Sequence, residues 1–129
     1  MTPVRFVLDD TALVALGSGS RQASALVHRA STDPAIDLVA PALCMLAAED
    51  QRVGVAEHIG MLEVVRIGDL DFPGLMGVAT FARSGMSWQA AHGLYMAQPA
   101  IDFPGFTLLA TVEPDRYPKQ FAEIFDISD

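Results

Sequence analysis

Basic residues are scarce in this chain. Eight Lys and Arg stand against sixteen Asp and Glu over 129 residues, a formal net charge of −8. Phosphate contacts need basic surface, so no standing electrostatic affinity for nucleic acid or anionic membrane is expected, and contact with RNA would need a cation or a basic partner. Cysteine is nearly absent. Cys44 stands alone, which excludes an internal disulfide and any zinc site built on several cysteines and makes a reducing cytoplasm the expected compartment. No run approaches 18 uninterrupted apolar residues, and Met1-Thr2-Pro3-Val4-Arg5 leads straight into a strand, so neither a membrane span nor a signal peptide is expected. His28, His58 and His92 lie far apart and match no metal-ligand spacing. Gly17-Ser18-Gly19-Ser20 lacks the lysine of a phosphate loop and follows a predicted helix, which reads as a link between helices.

What the chain has is apolar residues: 51%, against 19% charged, the reverse of a disordered composition. Its length suits a single domain over 1–129. Short runs rich in Val, Ile, Leu and Phe predict strands at Val4–Asp9, Asp37–Ala40, Leu62–Ile67, Thr107–Thr111 and Glu123–Ile127. Ala- and Leu-rich stretches with helical spacing predict helices at Thr11–Leu16, Arg21–Ala30, Ala42–Asp50, Val53–Ile59, Pro73–Arg83 and Ser87–Ala97. Ser20, Asp71 and Ser87 are the expected N-caps of the second, fifth and sixth. This alternation implies an α/β/α sandwich around a mainly parallel five-stranded sheet, with the first strand central and beside the fourth. Asp71-Phe72-Pro73-Gly74 recurs as Asp102-Phe103-Pro104-Gly105, which reads as two turns of similar chemistry.

In such a sheet ligands bind beyond the carboxyl ends of the strands. Asp9, Asp10 and Thr11 follow the first strand, and Glu113 and Asp115 follow the fourth. Adjacent strands lie about 4.8 Å apart, so Asp9 and Glu113 are expected to converge at one end, where their carboxylates suit a hard cation. Glu49 and Asp50, at the end of the third predicted helix, are further carboxylates within the same scheme. The plainer alternative is structural: Asp10 or Thr11 caps the first helix, and Glu113 and Asp115 open a short helical turn.

Val7-Leu8-Asp9-Asp10-Thr11-Ala12-Leu13 resembles the opening motif of PIN domains, an apolar strand ending in Asp with a hydroxyl residue just beyond. Val39-Ala40-Pro41-Ala42-Leu43-Cys44-Met45-Leu46 is similar to their second strand and following helix. Trp88-Gln89-Ala90-Ala91-His92-Gly93-Leu94 resembles the helix bearing their third acid, and Leu108–Tyr117 their late strand and acidic turn. The resemblance runs in order over essentially the whole chain. It implies a PIN-like fold of the kind found in bacterial toxin endoribonucleases held by a small antitoxin, with acids that bind Mg²⁺ or Mn²⁺ to activate water. Carried over residue by residue, Asp9 matches the first acid, Thr11 the hydroxyl, and Glu113 the acid after the fourth strand, so Asp9 and Glu113 are the implied metal ligands.

Two acid positions are vacated. The second acid falls near Ala47, and Glu49 is two residues on, turned by roughly 200° around the helix. The third falls at Gln89, a neutral amide. Asp10, Asp115, Arg116 and Glu49 are the candidate auxiliaries. So depleted a site implies weak binding of Mg²⁺ or Mn²⁺. Two functional classes follow: a protein-interaction module, as a homodimer or with a small antitoxin-like partner, and a weak divalent-metal-dependent endoribonuclease that reaches RNA only if its metal site works. The negative charge and the apolar composition favour the first. Cys44, among Leu43, Met45 and Leu46, reads as a buried inert thiol, and His92 as a helix-packing or surface histidine.

Overall fold

A computed structural model describes residues 2–100 and 103–129 of the chain. Five strands, β1 (Val4–Leu8), β2 (Ile36–Pro41), β3 (Val65–Gly68), β4 (Phe106–Thr111) and β5 (Glu123–Asp126), form one sheet in the order β3-β2-β1-β4-β5. Every pairing is parallel, and β1 is central with β4 beside it. Six helices connect them: α1 (Asp10–Gly17), α2 (Arg21–Thr32), α3 (Ala42–Gln51), α4 (Val55–Gly60), α5 (Phe72–Ala82) and α6 (Trp88–Met96). A 3₁₀ turn, Pro114–Arg116, links β4 to the approach of β5.

Strand residues alternate between two apolar layers, as the period of two requires. Phe6, Leu8, Leu38, Ala40 and Ala110 point to one face, covered by Leu13 and Leu16 of α1, Leu26 of α2 and Ile59 of α4. Val7, Val39 and Leu109 point to the other, where Ala90 and Leu94 of α6 pack. Helix α5 lies against α6. The result is a three-layer α/β/α sandwich. Leu13, Leu38, Leu94 and Leu109 are fully buried, each contributing about 1.5–3 kcal/mol of transfer free energy.

Local rules account for most element ends. Ser20 accepts from the Ala23 amide, Asp71 from Gly74 and Ser87 from Ala90, the three caps the sequence predicts. Most other ends shift by one or two residues, and three shifts have a clear physical reason. Asp9 does not end β1; it leaves the strand and caps α1, displacing both Asp10 and Thr11 from that role. The third strand begins at Val65 rather than Leu62, because the Leu62 and Val65 amides bond back to Ile59 and Leu62 in a turn. Helix α4 begins at Val55 rather than Val53, because Gly54 takes the left-handed conformation (φ +100°) and breaks the helical path.

The two Asp-Phe-Pro-Gly segments differ in structure. The first opens α5, with Asp71 capping it. In the second, Asp102 lies outside the described residues, and Gly105 passes so close to the Pro3 carbonyl that a Cβ there would collide with it. Among the described residues, no helix is long and apolar enough to cross a membrane.

Candidate functional site

The carboxyl ends of β1 and β4 bring the site together. Leu8 pairs with Ala110, and the Asp9 amide donates to the Ala110 carbonyl at 3.2 Å, which sets Asp9 beside Thr111. Asp9 is fully buried, as is Thr111. One carboxylate oxygen of Asp9 accepts from the Thr11 hydroxyl (2.6 Å) and the Ala12 amide (2.9 Å). The other accepts from the Tyr117 hydroxyl at 2.7 Å. A threonine hydroxyl has one proton to give, and that of Thr11 is spent on Asp9. The 3.1 Å contact between the Thr11 and Thr111 hydroxyls therefore has Thr111 as donor. The Val112 amide donates to Thr11 and the Glu113 amide to Thr111, each at 3.0 Å. A chain of donors thus runs from the Glu113 amide through two hydroxyls to the Asp9 carboxylate.

Arg116 closes the site from the 3₁₀ turn. Its guanidinium donates to Asp10 at 2.6 and 3.5 Å, and lies 3.5 Å from Asp9 and 3.1 Å from Glu113. Three carboxylates converge on one cation. Burial opposes the Arg116 charge, but the hydrogen bonds to Asp10 and Tyr117 and the Asp10 charge together outweigh it and raise the guanidinium pKa. Burial pushes the Asp9 carboxyl above the ordinary aspartate range, against the Thr11, Tyr117 and Ala12 hydrogen bonds that favour its ionised form. Burial and the Asp9 charge raise the Tyr117 phenol, which stays a donor.

Asp10, Leu43, Ala47, Asp50, Trp88 and Gln89 are among the residues lining an adjoining cleft of about 540 Å³. Ala47 and Gln89 therefore share one cleft with Asp10. Glu49 is not part of its lining: its carboxylate accepts from the Gly54 and Ala56 amides at the start of α4, which hold its pKa below the usual range. Asp50, three residues from Ala47, faces the cleft instead. Asp115 is exposed on the 3₁₀ turn and makes no ion pair among the described residues.

His92 does not line the cleft. It is fully buried; its Nδ1 accepts from the Leu43 amide at 3.2 Å, and its Nε2 has no hydrogen-bond partner among the described residues. Burial lowers its pKa, against the pull of the Asp69 backbone and the Asp71 charge. Burial, then the Asp9 and Asp10 charges, push the Cys44 thiol well up, and its sulfur donates to the Gln89 carbonyl at 3.1 Å. It is inert.

Sequence reasoning gave Tyr117 and Thr111 no part in holding Asp9. Thr111 ends a strand beside β1 and carries some signal through that position. Tyr117 carries none, since nothing local shows that its hydroxyl reaches back 108 residues.

The donor set does not fit Mg²⁺ or Mn²⁺ as it stands. Such ions need carboxylate oxygens open to coordination. Both Asp9 oxygens already accept hydrogen bonds inside the fold, and a permanent positive charge sits among the acids. Among the described residues, no three His, Cys, Asp or Glu side chains are grouped to hold a metal ion. Comparison with family models, curated proteins and solved structures yields no match to this chain.

Proposed function

We propose that this chain is a degenerate PIN-like domain acting mainly as a protein-interaction module in the cytoplasm, paired with a small antitoxin-like protein. The observation that carries the reading is an exposed apolar band around Trp88. Trp88 is 71% exposed, Leu46 66% and Leu75 49%. Beside Trp88 runs an apolar groove of about 350 Å³ lined by Leu43, Leu70, Leu75, Val78 and Ala79. Leu43 and Trp88 also line the acidic cleft, so groove and cleft are continuous. Contiguous exposed apolar surface rimmed by polar groups is what a protein partner covers.

Charge selects the partner. The cleft offers the exposed Asp50, Asp10 being already paired with Arg116, and its lining includes no basic side chain among the described residues. A second copy of the chain would bring another −8. A segment with apolar anchors and flanking Lys or Arg complements this surface. Co-expression with any small protein found encoded beside the gene, followed by size-exclusion chromatography with light scattering, tests the reading. The expected result is a heteromeric complex lost in Trp88→Ala. A stable homodimer of the chain alone would make a second copy the occupant.

The grouping of Asp9, Thr11 and Glu113 at adjacent strand ends favours a second reading, a weak divalent-metal-dependent endoribonuclease. It would require Arg116 to leave the acids. Purified protein incubated with total cellular RNA and Mn²⁺, beside an Asp9→Asn control, separates the two. The expected result is no difference; cleavage by the wild type alone makes the nuclease reading primary.

A further inference from the structure

The acid cluster presents a charge problem that the chain solves internally. Asp9 and Asp10 have side-chain exposures of 0% and 6%. Buried carboxylates are held either by hydrogen bonds and a counter-charge or by a metal ion. Here the counter-charge is Arg116, the one basic side chain that pairs with Asp9, Asp10 and Glu113 among the described residues. Its planar fork takes both oxygens of Asp10 while its edge faces the other two acids. The Pro114–Arg116 turn, continuing into the buried Tyr117, anchors that arm from both sides.

The divalent ion implied by the family resemblance and the donor set present here therefore disagree. We propose that Arg116 is the resident cation of this cluster, occupying the place of a divalent ion, so that the wild-type chain takes up no Mn²⁺ there and removal of the guanidinium opens the cluster to one. Asp10 and Glu113 then lose their partner, and their carboxylates, which are not grouped for a metal ion while the guanidinium stands between them, are free to close on one. Asp9 contributes charge at close range without releasing its own hydrogen bonds. This inference does not rest on the interaction reading: it concerns the isolated chain, and the two fail separately.

The test is thermal denaturation of wild type, Arg116→Ala and Arg116→Gln in EDTA and in Mn²⁺. Wild type is expected to melt at the same temperature in both. Both variants are expected to melt lower than wild type in EDTA and to recover by roughly 5 °C or more in saturating Mn²⁺, because a ligand that binds only the folded state stabilises it. Adding Asp10→Asn to Arg116→Gln is expected to abolish the recovery. If Arg116→Ala does not fold in EDTA, Arg116→Gln, which keeps a neutral amide of related shape, carries the same comparison. Asp9-dependent stabilisation of the wild type by Mn²⁺ overturns the proposal. So does a folded Arg116→Gln protein that ignores Mn²⁺.

Discussion

The Tyr117 hydroxyl donates to the Asp9 carboxylate at 2.7 Å, joining the turn after β4 to the cap of α1 across 108 positions. Both groups are buried, so neither has water to fall back on, and the bond holds the acidic turn against the end of the central strand. Arg116, the preceding residue, is delivered to Asp10 by the same anchoring.

Tyr117→Phe is expected to destabilise the fold by about 1–3 kcal/mol, the cost of leaving a buried acceptor short of a donor. The lost bond favours the ionised Asp9, so the cost should be larger at pH 8 than at pH 4. Urea denaturation at the two pH values measures this; an equal cost at both would mean that the hydroxyl does not act on the charge.

Asp9 itself carries a definite pH sign. Burial raises its folded pKa above 3.8, so its stability contribution is fully present below that value and is lost as pH rises through the raised one. In Asp9→Asn this dependence is gone. The stability of wild type relative to Asp9→Asn should fall as pH rises above about 4 and then level off. A difference that instead grows with pH would show the ionised carboxylate to be favoured by the fold.

His92 has the opposite sign. Its folded pKa is lowered from 6.5, so its contribution is present above pH 6.5 and is lost as pH falls through the folded value. Protonation would also set a second donor against the Leu43 amide that Nδ1 now accepts. His92→Asn, which can still accept but does not titrate, should flatten the stability profile below pH 6.5. Chemical denaturation across pH 5–8 reads the change directly.

Asp37 lies between Arg5 (2.7 Å) and Arg66 (3.1 Å). Burial pushes its carboxyl up, but the two arginines outweigh it and hold the pKa below 3.8. Its contribution is therefore present above that value and is lost as pH falls through the folded pKa. Asp37→Asn should cost about 0.5–1 kcal/mol at neutral pH, a figure already discounted for solvent screening, and less in 1 M salt.

Trp88→Ala should leave stability within about 0.5 kcal/mol, since the ring is mostly exposed. In a complex with the partner it should weaken binding by about 2 kcal/mol or more, roughly 30-fold. Isothermal titration calorimetry beside urea denaturation separates the two effects.

Much of the architecture was legible in the residues alone. Short Val- and Leu-rich runs alternating with Ala-rich helical stretches determined a parallel sheet with β1 central and beside β4, because strand and helix periodicities are local and the crossover rule leaves few topologies. The caps at Ser20, Asp71 and Ser87 were legible for the same reason: each bonds an amide three residues on. Asp9 and Glu113 were placed at neighbouring strand ends by the same pattern. Only the tertiary structure decided what those acids face. Asp50 rather than Glu49 turns to the cleft, Tyr117 seals Asp9, and Arg116 pairs with Asp10. Glu49 is drawn off by the nearby Gly54 and Ala56 amides, whereas the Tyr117 and Arg116 contacts are fixed by packing between elements about a hundred residues apart. No local pattern encodes them, because each side chain's partner is chosen by which distant surface arrives beside it.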